Sequence, residues 1–420
     1  MSDAKLLRVG WLNDPDVNAV MAALLAGDGV AARYVGGCVR DRVRNVPLTG
    51  EQVDVDIATT ALPEQVIALL QAAKIKAVPT GIAHGTITAV SNHRPVEITT
   101  LRHDVTTDGR HAQVAYTDDW LADASRRDFT MNAIYADADG TLFDPLGGID
   151  DAVAGRVRFV GDADARIKED YLRVLRFFRF YAWCGNGDID GTGLQACARN
   201  IDGLAKLSAE RVSKELLKLL SANAPVAAIR QMAASGVLGA VLPEASAIDR
   251  LAAMAELDAM HMFPPDAILR LGALLTDDAA AAIKLAERLR LSNEQRHRMA
   301  AMLGANERVF SYMSVREMRR TAYRLTPKVM HDVARLRWAQ DPKRIHNSVQ
   351  WRALLPMIET WPVPKMPLSG HQVQLAGVPD GPLIGQVMRE VEEWWIDSGF
   401  VMDEMSIIER LKAVVQATIK

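Results

Sequence analysis

Long apolar runs are missing from this 420-residue chain. No stretch approaches the ~18 consecutive apolar residues that a membrane-spanning helix needs, so a helical membrane protein is not expected. The N-terminus, MSDAKLLRVGWLNDPD, lacks a basic start followed by an apolar core and a small-residue cleavage site, and gives no expectation of secretion. Cysteine is scarce. Cys38, Cys184 and Cys197 are odd in number and match neither zinc-ligand spacing nor a disulfide framework, which suits a reducing cytoplasm. An overall positive charge is missing as well: the net charge is −3 and the pI about 6.3. There is no clear repeat. What remains, 49% hydrophobic residues and a mean hydropathy near zero, describes a globular protein long enough for two to four domains.

Charge is unevenly spread. Between Arg308 and Arg352, eleven Arg and Lys residues face three carboxylates, a local excess of +8 on an otherwise acidic chain. Such a face is the footprint expected for a phosphate backbone, or else a solvated helical surface.

The most informative stretch is Tyr34 to Thr59, YVGGCVRDRVRNVPLTGEQVDVDIAT. Tyr34-Val35 reads as a strand, Gly36-Gly37 as a tight turn and Cys38 to Arg44 as a helix. Glycine lets a phosphate approach the backbone, and a helix start attracts anions. Arg40 adds a positive charge nearby. Val53 to Ile57 alternates as a half-buried strand should, so Asp54 and Asp56 leave the same face. Paired carboxylates suit Mg²⁺. A phosphate cradle beside a metal clamp suggests phosphoryl or nucleotidyl transfer with two metal ions.

These motifs, G-G-x-V-R-D followed by D-x-D-I-A-T, resemble the nucleotidyltransferase signature of the class II tRNA CCA-adding and poly(A) polymerase family. The resemblance continues through T-G-I-A-H-G-T, E-I-T-T-L-R, R-R-D-F-T-M-N-A and E-D-Y-L-R, over residues 34 to about 180 in the family's order. It implies an α+β fold: a small N-terminal nucleotidyltransferase domain with a polymerase-β-like mixed sheet, followed by an all-helical C-terminal part. The expected parts are a catalytic head (1–137), a helical neck that selects the base (138–225), a helical body that binds tRNA (226–360) and a helical tail (361–420).

The resemblance also assigns roles. Asp54 and Asp56 would hold two Mg²⁺ ions at the reacting RNA 3′-hydroxyl and α-phosphate. Glu97, on a neighbouring strand, is either a third carboxylate or a surface residue. Gly36, Gly37 and Arg40 would cradle phosphate. Arg127 and Asp128 would contact the ribose of the incoming CTP or ATP, and Phe129 to Ala133 reads as packing. His84 is expected to be structural. On a helix expected from about Ala163 to Tyr181, Ile167, Tyr171, Val174, Leu175 and Phe178 make an apolar stripe. Arg166, Glu169, Asp170, Arg173 and Arg176 make a charged one. Asp170 and Arg173, three apart, would present an acceptor beside donors. Cytosine and adenine each offer an amino donor beside a ring-nitrogen acceptor, so the pair fits C and A and disfavours G and U. In the family this motif is an amino-acid template for the base, oriented here by Glu169.

The resemblance implies a tRNA nucleotidyltransferase that adds CCA from CTP and ATP, with a poly(A) polymerase of the same fold and a non-catalytic RNA-binding protein as the alternatives. The arginine-rich G-R-R-F-like element of the poly(A) polymerases is absent from AVPTGIAHGTITAV, which favours tRNA as substrate. Residues 102 to 120 read as a mobile loop; in the family this goes with A addition, against a CC-only enzyme. A non-catalytic RNA-binding protein would have a broken carboxylate pair, and this one is intact. His103-Asp104 and His331-Asp332 have no second histidine at helical spacing, so a His-Asp phosphohydrolase domain is not expected. Arg316, Arg319, Arg320, Arg324 and Lys328 are the expected tRNA contacts, on acceptor stem and T-arm.

Overall fold

The computed structural model describes residues 10–46, 53–82, 85–106, 113–400 and 403–418. The chain divides into two compact units, Met1–Ala245 and Ser246–Lys420. The expected head and neck both fall within the first.

Helix α1 (Pro15–Leu25) begins where the Asp14 carboxylate accepts from the N–H groups of Asp16 and Val17, with proline at the first helical position. The chain then builds β1 (Ala32–Val35), α2 (Gly37–Val43), β2 (Asp56–Thr59), α3 (Pro63–Ala72), β3 (Lys76–Gly81), β4 (Thr86–Ser91) and β5 (Arg94–Thr100). With β8 (Tyr135–Ala136) and β9 (Leu142–Phe143) these strands form one sheet in the order β3-β4-β5-β2-β1-β8-β9. The β2–β5 pair is parallel and the other pairs are antiparallel, so the sheet is mixed, as expected. Burial alternates along β5: Val96 and Ile98 are buried, while Glu97 faces the other way with Thr99. Helices α1 and α3 pack against β4.

Two local expectations are corrected in this unit. Part of the expected loop at 102–120 is a second sheet, in which β6 (Arg102–Thr106) pairs with β7 (Gln113–Tyr116). The two strands carry Val105, Thr106 and Val114, residue types suited to strands, and backbone pairing outweighed the polarity of the stretch. Residues 107–112 and His84 lie outside the described residues. The second correction is the helix expected at 163–181. It is two helices, α6 (Ala163–Glu169) and α7 (Leu172–Cys184), preceded by α4 (Trp120–Ser125) and α5 (Gly148–Ala154). Asp170 is extended, with φ −152° and ψ 105°, and its Oδ1 accepts from the Leu172 N–H at 3.1 Å. Asp170 therefore caps the second helix instead of continuing the first. The Tyr171 ring, at the break, sits against Gly203, where a Cβ would clash with it. Helices α8 (Gly191–Arg199), α9 (Ala209–Leu220), α10 (Pro225–Ala234) and α11 (Val237–Val241) complete the unit. Phe129, Phe159, Phe177 and Phe180 cluster, with Phe159 and Phe177 stacked at 5.4 Å, and bind the segment after α4 to α7. Packing is the role expected of Phe129.

The second unit is helical among its described residues. Its interior contains charge. Asp258, 4% exposed, is ion-paired with both Arg270 and Arg335, and Arg298 bridges Asp266 and Asp332. The Pro- and Gly-rich segment 362–385 contains a helix, Gly370–Leu375, and the start of another, Pro382–Asp397. Ser369 and Gln372 form a capping box and Pro382 occupies a helix start, so these residues begin helices here instead of breaking them. The helix Pro382–Asp397 ends at Ser398-Gly399, before the helix Glu404–Thr418. Trp395, Val391, Ile407 and Leu411 pack these last helices together.

Candidate active site

A cleft of about 580 Å³ opens in the first unit beside the β1–α2 turn. Gly36 makes that turn with φ +78°, a left-handed value that favours glycine. A Cβ there would lie 3.4 Å from the Asp56 carboxylate, so the glycine also leaves the acid uncovered. Gly37 and Arg40 line the same wall. Arg40 donates to Asp41 at 2.8 Å and to Asn132 Oδ1 at 2.8 Å, which fixes its guanidinium over the Phe180 ring.

Asp56 and Glu97 are register partners on the parallel strands β2 and β5, and both line the cleft. Burial, and then the charges of Glu97 and Asp54, push the Asp56 carboxyl up to about 6, while Arg127 pulls it down. Asp54 precedes the strand and is exposed, with buried Val55 between it and Asp56. Its charge reaches Asp56 without its side chain lining the cleft. Among the described residues, no group of three His, Cys, Asp or Glu side chains is gathered closely enough to hold a metal ion alone. Two carboxylates plus substrate phosphate oxygens is the usual way Mg²⁺ is bound, and this donor set fits it. A raised carboxylate pKa with acids as part of its cause is what a divalent cation would relieve.

Arg127 and Asp128 do not pair with each other. Arg127 is held by Asp123 and Tyr135, and Asp128 accepts from Arg176 at 2.7 Å and from Asn132 at 3.0 Å. Burial opposes ionisation of Asp128, but Arg176 and Asn132 outweigh it and hold its carboxyl below the usual range. The expected Asp170–Arg173 pair is also wired differently. Asp170 Oδ2 is ion-paired with Arg211 on α9 at 2.7 Å, and Arg173 donates to Glu169 at 2.5 Å. Asp170 and Arg173 still line the cleft side by side, as does Arg176. Glu169 lies behind them, gripping Arg166 and Arg173.

Sequence reasoning missed Arg102, Arg126, Asn132, Phe180 and Arg211, all of which line the cleft. Asn132 and Arg126 lay within a quoted motif, but Arg211 is 41 residues from its partner and carries no local signal. With these the cleft has seven arginines against Asp56, Glu97, Asp128 and Asp170. That excess of cation suits a polyphosphate, and Asp56 and Asp170 both line the cleft with it.

The expected RNA contacts lie elsewhere, on the second unit. Arg320 is ion-paired with Asp397 at 2.7 Å, Arg324 with Glu393, and Lys328 with Glu294 at 3.4 Å. Arg316 donates to the Asp397 carbonyl, and Arg319 is exposed. Arg335, counted in the basic segment, is buried against Asp258. The positive face is therefore partly neutralised by the chain's own acids.

Comparison with known proteins gives the following. The family model "Poly A polymerase head domain" matches residues 32–158, and "Probable RNA and SrmB- binding site of polymerase A" matches 188–248. CCA tRNA nucleotidyltransferase 1, mitochondrial, of Mus musculus is 35% identical over 93% of this chain and 89% of its own length. Its Homo sapiens counterpart is 35% identical over 90% and 86%. The crystal structure of the Bacillus stearothermophilus CCA-adding enzyme in complex with CTP superposes with a TM-score of 0.75 at 25% identity, covering 96% of this chain and 98% of that one.

Proposed function

This chain belongs to the CCA tRNA nucleotidyltransferase family, and from that premise we propose that it adds or repairs the 3′-terminal CCA of tRNA from CTP and ATP, releasing pyrophosphate. The observation that carries the reading is a single cleft in which Asp56 and Glu97 face Arg127 and Asp128, with Asp170 and Arg173 on the same lining. Acid for a metal, cation for a triphosphate and polar groups for a base are what nucleotidyl transfer needs together.

In this reading Asp54 and Asp56 hold divalent ions, specifically Mg²⁺, with Glu97 as a third acid. Bound there, such ions would supply Lewis acidity for the attacking 3′-hydroxyl and would offset charge on the leaving pyrophosphate. The Gly36-Gly37 turn leaves room for phosphate oxygens, and Arg40, pinned by Asn132, supplies a fixed donor. Arg127 faces the triphosphate and Asp128, kept ionised by Arg176, accepts from a ribose hydroxyl. Asp170 accepts from the amino group of C or A, and Arg173 donates to the ring nitrogen. Because Glu169 grips Arg173 and Arg211 grips Asp170, both readers are held in place before a base arrives, which reduces the ordering cost of selection.

The parts follow: residues 1–137 carry the chemistry, 138–225 read the base, 226–360 hold RNA through Arg316, Arg319, Arg320, Arg324 and Lys328, and 361–420 form a tail. A reducing compartment such as the cytoplasm agrees with three free, buried cysteines; the mouse and human relatives are named mitochondrial. Among the described residues no helix is long and apolar enough to cross a membrane. The test is incorporation of each nucleotide separately into tRNA lacking CCA, with Mg²⁺. CTP use followed by a single ATP addition is expected. Long ATP-only products would indicate poly(A) synthesis, and no incorporation would indicate a binding protein.

A further inference from the structure

Behind the cationic wall of the cleft lies one carboxylate that does not line it. Asp123, on α4, is 1% exposed. Its Oδ2 accepts from Arg127 Nη2 at 3.1 Å, Arg127 Nε at 3.3 Å and the Tyr135 hydroxyl at 2.8 Å. Its Oδ1 accepts from Arg126 Nε at 2.9 Å and lies 3.4 Å from the Arg102 backbone N–H. Tyr135, itself buried, accepts from Arg127 Nε at 3.2 Å while donating to Asp123. Three of the arginines lining the cleft thus hang, by side chain or backbone, from a single buried acid.

A buried carboxylate without partners is costly, so a lone structural role would not require one. Here every partner is a residue of the cleft wall or the tyrosine that braces it. Burial raises the carboxyl and the arginines and Tyr135 together outweigh it, so Asp123 stays ionised. Arg127 gains in turn: burial works against its charge, and Tyr135 and Asp123 keep it protonated. The guanidinium is then held as a fork whose remaining N–H groups include Nη1, bonded to the Asn132 carbonyl at 3.3 Å. Asn132 is the residue that pins Arg40.

We propose that Asp123 is a positioning residue for nucleotide binding: with Tyr135 it sets the orientation of Arg127 and Arg126 towards the triphosphate, and touches no substrate itself. The proposal rests on the nucleotidyl-transfer reading above. It predicts that the effect of Asp123 on CTP and ATP use passes through Arg127. The test is a double-mutant cycle on the full-length protein with Asp123→Asn, Arg127→Ala and the pair, measuring kcat and KM for CTP, ATP and tRNA separately. Asp123→Asn is expected to lower kcat/KM for both nucleotides about tenfold or more while the tRNA KM stays put, and to have less than about a twofold effect once Arg127 is alanine, the non-additivity of residues in one network. Tyr135→Phe keeps the ring packing and should show the same coupling at smaller size; it decides the matter if Asp123→Asn does not fold. Additive effects in either cycle, or unchanged nucleotide kinetics in both variants, overturn the proposal. If Arg127→Ala alone leaves nucleotide use intact, the transfer reading of Arg127 fails first, and the two failures are told apart.

Discussion

Asp56 is pulled two ways. The fold buries it beside Glu97, and Asp54 adds a further charge, so its proton is held up to about pH 6. In the metal-free protein this raised value means the protonated form is favoured by folding. That contribution is present below the ordinary carboxylate range and is lost as pH rises through about 6. A divalent ion reverses the preference by binding the ionised form. Mg²⁺ should therefore raise the melting temperature more at about pH 7.5 than at about pH 5, where protons compete for the same oxygens. Equal shifts at both pH values, measured by calorimetry without nucleotide, would remove Asp56 as a ligand. Asp54→Ala should abolish transfer while tRNA still binds, since the exposed acid supports no buried structure; turnover near the parent rate would sink its role. Asp170 needs a milder change, because its carboxylate both caps α7 and accepts from Arg211. Asp170→Asn keeps an acceptor for the cap but offers the base an ambiguous edge. Its expected signature is raised GTP and UTP incorporation relative to CTP and ATP, with stability nearly kept. Intact selection in that variant would rule out base reading by Asp170.

At the scale of elements, the break between α6 and α7 shows what the sequence could and could not display. The apolar stripe from Ile167 to Phe178 runs through the break without losing helical phase, so periodicity alone reads one helix. The cue against it was an aspartate two residues before an apolar run, a capping signal that the family motif absorbed into a base-reading role. The sheet was more legible. Val96 to Thr99 alternates apolar and polar in sequence, and in β5 Val96 and Ile98 are buried while Glu97 takes the other face. The ion-pair partners were not legible: Asp128 with Arg176 and Asp170 with Arg211 are 48 and 41 residues apart. Local spacing suggested neighbours, and tertiary packing chose others. The break also makes its own prediction. Gly203 leaves no room for a Cβ against the Tyr171 ring, and overpacking of this kind costs about 1–3 kcal/mol. Gly203→Ala should lower stability in urea unfolding by about that much, and should raise the CTP KM by displacing Asp170 and Arg173. A raised KM without lost stability, or the reverse, would separate the ring from the break.

At the scale of the molecule, the basic segment of the second unit poses a question that its sequence hid. Read along the chain it is strongly positive, but the folded unit sets acids of the helix Pro382–Asp397 against it. Arg320 meets Asp397, Arg324 meets Glu393, and Tyr323 donates to Glu392 at 2.6 Å. These ion pairs are half-exposed, and exposed ion pairs contribute about 0–1 kcal/mol each. A phosphate backbone therefore competes for the same guanidinium groups at little cost to the fold. The two roles, binding RNA and holding the last helices, make opposite predictions when the acids alone are removed. With Asp397→Asn and Glu393→Gln the arginines lose their internal partners. If they hold tRNA, affinity should rise, and the plot of log affinity against log salt should steepen by roughly 0.7–0.9 for each additional phosphate neutralised. If they only fasten the C-terminal helices, the melting temperature should fall and tRNA binding should not change. Reversal to glutamate of Arg316, Arg319, Arg320 and Arg324 completes the comparison: if they hold tRNA, it raises the tRNA KM while leaving the CTP KM alone, because the cleft proposed for nucleotide is lined wholly by residues of the first unit.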